Sequence, residues 1–253
     1  KLQVEGKGSS TAPPALISAT AQFGPMSRPM KSTEIDEFEK KFGYKPTELR
    51  TSFDALAVYV HKDNPIASLT MAQVDAAFSK TRKRGAVKDA PTWGDLGLTG
   101  DWAARPISLY GRNSASGTYG FFKEHVLKNG DFKDTVKEQP GSASVVQGVT
   151  NDRYGLGYSG IGYRTSGVRI VPLAEKDGGE TSEGGYDDVV SRKYPLARYL
   201  YLYVNRAPGK PLDPLIKEFL KLVFSREGQE VVVKDGYLPL TAAIAAEELR
   251  KLD

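Results

Sequence analysis

Arg112 stands four residues before Ser116-Gly117-Thr118, a spacing suited to holding a small tetrahedral oxyanion. A guanidinium can donate to two oxygens of one anion at once. The run Pro106-Ile107-Ser108-Leu109-Tyr110 precedes the motif, and Phe121, Phe122, His125 and Val126 follow it at helical spacing. This pattern predicts a strand-to-helix turn. The first turn of a helix leaves N–H groups unpaired at the positive end of its dipole, and Gly117 admits a close ligand there. Ser116 and Thr118 add hydroxyl donors. The same residues also read as an ordinary capped helix beside a surface arginine.

A second Gly/Ser loop lies near the start. Leu2-Gln3-Val4 reads as a strand, Gly6-Lys7-Gly8-Ser9-Ser10-Thr11 as a loop, and Ala12-Pro13-Pro14-Ala15-Leu16 as a helix with prolines where its first turn tolerates them. Strand, loop and helix are thus repeated around a second set of possible anion donors.

Composition narrows the chemistry. The 253 residues, 40% hydrophobic and 26% charged, suffice for one large or two modest folded domains. Zero cysteines exclude disulfides, thiolate metal sites and cysteine nucleophiles, and two isolated histidines, His61 and His125, argue against a histidine metal centre. The net charge of +4 is mild, and Arg82-Lys83-Arg84 lacks interleaved aromatics, so it reads as a solvated loop rather than a nucleic-acid surface. No apolar run is long enough to span a bilayer. The start at Lys1 reads as a processed chain or a fragment whose export signal has gone.

The elements that must position these loops alternate. Phe23 to Met30 reads as a short strand and turn, and Thr33-x-x-Asp36 as the start of an amphipathic helix bearing Ile35, Phe38 and Phe42 and ended by Gly43. Residues 55–60 form a buried strand, and Thr70-x-x-Gln73 caps a helix carrying Val74, Ala77 and Phe78. Residues 168–173 are strand-like, and 176–188 read as an exposed loop without a calcium-ligand spacing. Residues 199–204 form a strong strand whose tyrosines pack. Asp213-Pro214 then opens a helix with Leu215, Ile216, Phe219, Leu220 and Val223 on its core face. Alternation of strand and helix argues for an α/β fold. No Walker-type loop is present, and Ser116 has no assembled His/Asp partner, which argues against an enzyme.

Taken in order, GKGSSTAPPAL, FGPMSRPMK, the strand from Asp54 to Val60, NPIASLTMAQVDAAFS, TWGDLG, GRNSASGTYGFFKEHVL, GYSGIGY, YPLARYLYLYVN and FSREGQEVVVKDGYLPL resemble the periplasmic phosphate-binding proteins of phosphate ABC transporters. The resemblance covers essentially the whole chain. It implies a type II, two-lobed α/β fold with hinge strands between the lobes. Lobe one would comprise residues 1–59 plus 200–253, and lobe two residues 60–199. It further implies a periplasmic or extracellular receptor that holds one dehydrated inorganic phosphate in the cleft, passes it to a membrane permease, and needs no cofactor, metal or nucleic acid.

The resemblance assigns phosphate contacts to Ser9, Ser27, Arg112, Ser116, Gly117 and Thr118, with Gly8, Ser10, Asp54 and Ser114 nearby. Ser27 stands where some relatives carry an aspartate that accepts the proton of monohydrogen phosphate, and Ser114 where some carry an acid that steadies the arginine. A carboxylate in that place accepts from phosphate and repels sulfate. Here the acceptor would have to be Asp54 or a group outside the chain.

Relatives usually begin with a strand, a phosphate loop and a helix before the segment matching Leu2-Gln3-Val4. Either that segment exists outside this sequence, or another polypeptide fills its place by strand addition; the second gives the alternative expectation of a structural or filament-forming subunit whose first lobe is completed by a neighbouring chain.

Overall fold

The computed structural model describes residues 3–252. The chain divides into two compact units. Unit one holds Lys1–Asp54, Ala115–Gly117 and Tyr199–Asp253, and unit two holds Ala55–Ser114 and Thr118–Arg198.

Ser9–Thr11 form a single 3-10 turn that runs into α1 (Ala12–Ile17), whose prolines sit in the first turn, where a missing N–H leaves no bond unmade. β1 (Phe23–Met26) follows. α2 (Ser32–Phe42) starts earlier than Thr33-x-x-Asp36 implies, because Glu34 Oε2 accepts from the Lys31 N–H at 2.8 Å and caps the helix there. It ends as expected at Gly43, in the left-handed region at φ 79°. β2 (Thr47–His61) extends the predicted strand at its start, and its first eight residues belong to unit one. β3 (Leu69–Thr70) leads to α3 (Met71–Phe78), where Thr70 Oγ1 accepts from Gln73 N–H while Gln73 Oε1 accepts from Thr70 N–H.

β4 (Ser108–Arg112) and α4 (Gly117–His125) form the predicted strand, turn and helix around the arginine. Next come β5 (Lys137–Gln139), α5 (Ser142–Thr150) and β6 (Gly155–Gly160). The predicted strand over 168–173 is broken into β7 (Val168–Ile170) and β8 (Leu173–Ala174), since Pro172 between them has no N–H for a ladder. The loop over 176–188 gives way to α6 (Tyr186–Val190). β9 (Ala197–Val204), α7 (Pro214–Phe224), α8 (Arg226–Lys234) and α9 (Ala242–Arg250) complete the chain.

In unit one β1 pairs antiparallel with β9, from Phe23↔Val204 to Met26↔Tyr201. Leu16, Met26, Met30, Phe38 and Tyr203 pack into its core. The Tyr203 hydroxyl accepts from Met30 N–H and donates to Glu48, so this tyrosine packs, as its strand pattern implied. In unit two β6 pairs antiparallel with the end of β2 and parallel with β4, and β4 also pairs parallel with β5. Ala57, Tyr59, Tyr110, Val145 and Val149 form a core where α5 covers this sheet.

Three expectations fail for definite reasons. Gln3 and Val4 form no strand: Val4 is 79% exposed, and a strand requires a ladder partner; Leu2 lies outside the described residues. On α7 Leu220 and Phe224 are buried, whereas Leu215 is 80% exposed, so the predicted core face is rotated. Arg84 is not solvated. Its Nε donates to Val126 O, its Nη2 to His125 O, and its Nη1 pairs with Glu175 at 2.8 Å.

Candidate anion site

In unit one the Gly/Ser loop is fixed by its own backbone. Gly8 has φ 111°, which a side chain would resist, and a Cβ there would stand 2.5 Å from Ala115 O. Thr11 donates from both N–H and Oγ1 to Gly8 O, closing the turn. Ser10 Oγ donates to Ala115 O at 2.9 Å, so this hydroxyl ties the two loops together rather than pointing its proton at a ligand. Ser9 is buried, and its Oγ accepts from Ser27 N–H at 2.9 Å. A hydroxyl has a single proton, so accepting from Ser27 leaves Ser9 free to act as a donor.

Gly117, also in unit one, lies against this pair. A Cβ on it would stand 2.2 Å from Ser9 Oγ and 3.0 Å from Ser27 Cβ. The backbone of α4's first residue therefore approaches the two serines as only a glycine allows. Ser116 beside it is buried, and Ser27 is half-buried. Arg28, next in sequence, is spent on structure, with both terminal nitrogens donating to the Glu34 carboxylate at 2.7 and 2.8 Å. Asp54, on β2, is 1% exposed.

In unit two Arg112 ends β4. Its Nη1 donates to Ser142 Oγ at 2.8 Å and its Nη2 to Pro140 O at 3.2 Å, so the turn entering α5 aims the guanidinium. Its N–H donates to Tyr158 Oη, and burial pushes that hydroxyl's pKa up, keeping it protonated. Tyr158 stacks on Phe122 of α4 at 3.8 Å and 12°. Gly111 is required beneath this stack, where a Cβ would stand 2.8 Å from Tyr158 Cε1. Arg112, Tyr119, Phe132, Lys133, Glu138 and Tyr158 line a cavity of about 300 Å³. Thr118 is 3% exposed, and its Oγ1 accepts from Arg198 Nη2 at 3.0 Å.

The structure thus places Gly8, Ser9, Ser27 and Gly117 together in one unit, with Arg112 and Thr118 in the other. Ser114 is exposed on the turn between β4 and α4. Two contributors escape the sequence reading. Ser142 opens α5 just after Pro140-Gly141, and Arg198 interrupts an apolar strand at Leu196-Ala197-Arg198; the second is a visible signal, since a buried strand seldom spends a position on arginine. Among the described residues no group of three or more His, Asp or Glu could hold a metal ion, and no helix is long and apolar enough to cross a membrane.

A model described as the PBP superfamily domain matches residues 1–227. Over 251 residues the chain is 59% identical to the phosphate-binding protein PstS of Pseudomonas aeruginosa, a match covering 99% of this chain and 78% of that protein. It is 29% identical over 240 residues to the phosphate-binding protein PstS of Staphylococcus saprophyticus, covering 94% of this chain and 70% of the relative. A solved structure of a putative phosphate ABC transporter substrate-binding protein from Clostridium perfringens, with bound phosphate, superposes with a TM-score of 0.74 at 23% identity, over 93% of this chain and 86% of the other.

Proposed function

Because the chain belongs to the PBP superfamily, with its type II two-lobed α/β fold, and within it to the PstS phosphate-binding proteins, we propose that it captures inorganic phosphate through Ser9, Ser27, Arg112, Ser116, Gly117 and Thr118. It is an extracytoplasmic receptor for an ABC importer, not an enzyme. The observation that carries the site assignment is the approach of Gly117 to Ser9 and Ser27, where a backbone N–H, a hydroxyl and a helix start meet with no room for a side chain.

Each group has a physical role in this reading. Arg112, aimed by Ser142 and Pro140 O, supplies charge and two parallel donors. The first turn of α4 supplies N–H groups, and Ser9 and Thr118 supply hydroxyl protons because each accepts from another protein donor. Asp54, buried on β2, is the carboxylate that accepts the phosphate proton in place of the missing acid at Ser27. Gly8 shapes the loop, Ser10 ties it to Ala115, and Ser114 is left to solvent. The permease of the importer is the downstream partner. The competing reading, a structural subunit completed by a neighbouring chain that adds a strand along β1, has in its support only that β1 among the described residues pairs with β9 alone.

The test is a calorimetric titration of inorganic phosphate, and in parallel sulfate, into the chain stripped of bound ligand. Tight, phosphate-selective binding is expected, and Arg112→Met should weaken it by ~3 kcal/mol or more by stranding anion charge. Phosphate affinity unchanged in Arg112→Met would remove the assigned site.

A further inference from the structure

Arg198 has no place in the anion contacts set out above, yet it is built into the same helix start. It is 5% exposed at the beginning of β9, and its guanidinium carbon stands 5.3 Å over the ring of Phe121. Its Nη2 donates to Thr118 Oγ1 at 3.0 Å. Thr118 and Phe121 lie three residues apart on α4, one above the other, so a single arginine clamps the helix's first turn by a hydrogen bond and a face contact.

The chemistry of the bond fixes a direction. A guanidinium has only donors and stays charged, whereas a hydroxyl has one proton and two lone pairs. With one lone pair taken by Arg198, Thr118 presents its proton to an acceptor, the state that an oxyanion rich in lone pairs requires. A threonine without that neighbour could turn its hydroxyl and accept instead. Ser27 N–H acts on Ser9 in the same sense in unit one, which makes the arrangement a repeated device.

We infer that Arg198 is a positioning residue for phosphate, acting through Thr118 to hold its hydroxyl as a donor. This rests on the assignment of Thr118 to the phosphate site, and the test separates the two. Inorganic phosphate is titrated into the stripped full chain as wild type, Arg198→Gln, Arg198→Lys, Thr118→Val and the double variant Arg198→Gln/Thr118→Val, with thermal unfolding run on each.

Arg198→Gln and Thr118→Val are each expected to weaken phosphate binding roughly ten- to hundredfold, as loss of a charge-assisted hydrogen bond implies. The double variant should lose little more than the weaker single variant, because both act through one hydroxyl. Arg198→Lys, which keeps the charge and a donor, should recover part of the loss and serves if Arg198→Gln does not fold. Losses that multiply in the double variant, full affinity in Arg198→Gln, or, should that variant not fold, full affinity in Arg198→Lys would overturn the inference while leaving Thr118 in the site. Full affinity in Thr118→Val would instead remove Thr118 from the site, and the inference with it.

Discussion

The Cβ direction of Gly117 points at the hydroxyl of Ser9: an added methyl would stand 2.2 Å from Ser9 Oγ. Real Cβ atoms do not approach oxygen so closely, so one of the two segments must yield. Neither yields easily, because Ser9 Oγ is held by Ser27 N–H at 2.9 Å and Ser10 ties the same loop to Ala115 O. We expect Gly117→Ala to fold, with an overpacking cost of ~1–3 kcal/mol. Phosphate affinity should fall roughly ten- to hundredfold as Ser9 is displaced. Calorimetry beside a thermal melt checks this, and unchanged affinity would show that the close approach has no part in binding.

Arg112 is aimed rather than merely present. Removing Ser142 Oγ in Ser142→Ala frees Nη1 from its 2.8 Å bond while Pro140 O still holds Nη2. The guanidinium keeps its charge but loses its preset direction. A loss of ~1 kcal/mol in phosphate binding, roughly five- to tenfold, is the expected result, well short of that in Arg112→Met. Losses of equal size in the two variants would contradict a purely orienting role for Ser142.

The line between what was legible and what was not runs through chain connectivity. Arg112 and Ser116-Gly117-Thr118 could be read because one strand-to-helix turn sets them four residues apart, and local spacing reports local geometry. The Thr70/Gln73 cap and the Gly43 stop were legible for the same reason. Ser142 reaches Arg112 across 30 residues and Arg198 reaches Thr118 across 80, and no periodicity encodes such partners. The α7 face failed differently. Its hydrophobic positions identify a helix, but which of them are covered depends on neighbours the pattern does not specify, and Leu215 is left in solvent. A basic run such as Arg82-Lys83-Arg84 carries no local sign of its partners, and the long side chain of Arg84 crosses to the end of α4 and Val126.

Acid sensitivity should be traceable to Glu34. Desolvation pushes its carboxyl up, but hydrogen bonds from Arg28 and the Lys31 N–H, with the charge of Arg28, outweigh it and hold the group below the usual carboxylate range. A lowered folded-state pKa means that the unfolded chain binds the proton more tightly. The contribution is therefore complete above the ordinary value of 4.5 and is lost as pH falls through the lower folded value. Glu34→Gln leaves Arg28 with 9% of its side chain exposed and no carboxylate, a change that should cost ~3 kcal/mol at pH 7. Urea unfolding of both proteins from pH 7 to pH 3 should show this gap narrowing with acid. A gap that stays constant would mean that the pair is not linked to protonation.

Selectivity turns on which group receives the phosphate proton. Monohydrogen phosphate has one proton to donate and sulfate has none, so a buried carboxylate at the site binds the first and repels the second. Ser27 carries no charge with which to repel sulfate, and Asp54, 1% exposed, is the carboxylate proposed for the task. Asp54→Asn keeps an acceptor oxygen but removes the charge, so it should lower the ratio of phosphate to sulfate affinity by about tenfold or more, chiefly by strengthening sulfate. Adding Ser27→Asp to that variant should restore the preference by placing a carboxylate where some relatives carry one. Parallel titrations with the two anions read the ratio directly. A ratio unmoved by Asp54→Asn but raised by Ser27→Asp would assign the proton acceptor to the Ser27 position alone and leave wild-type selectivity to the geometry of the donors.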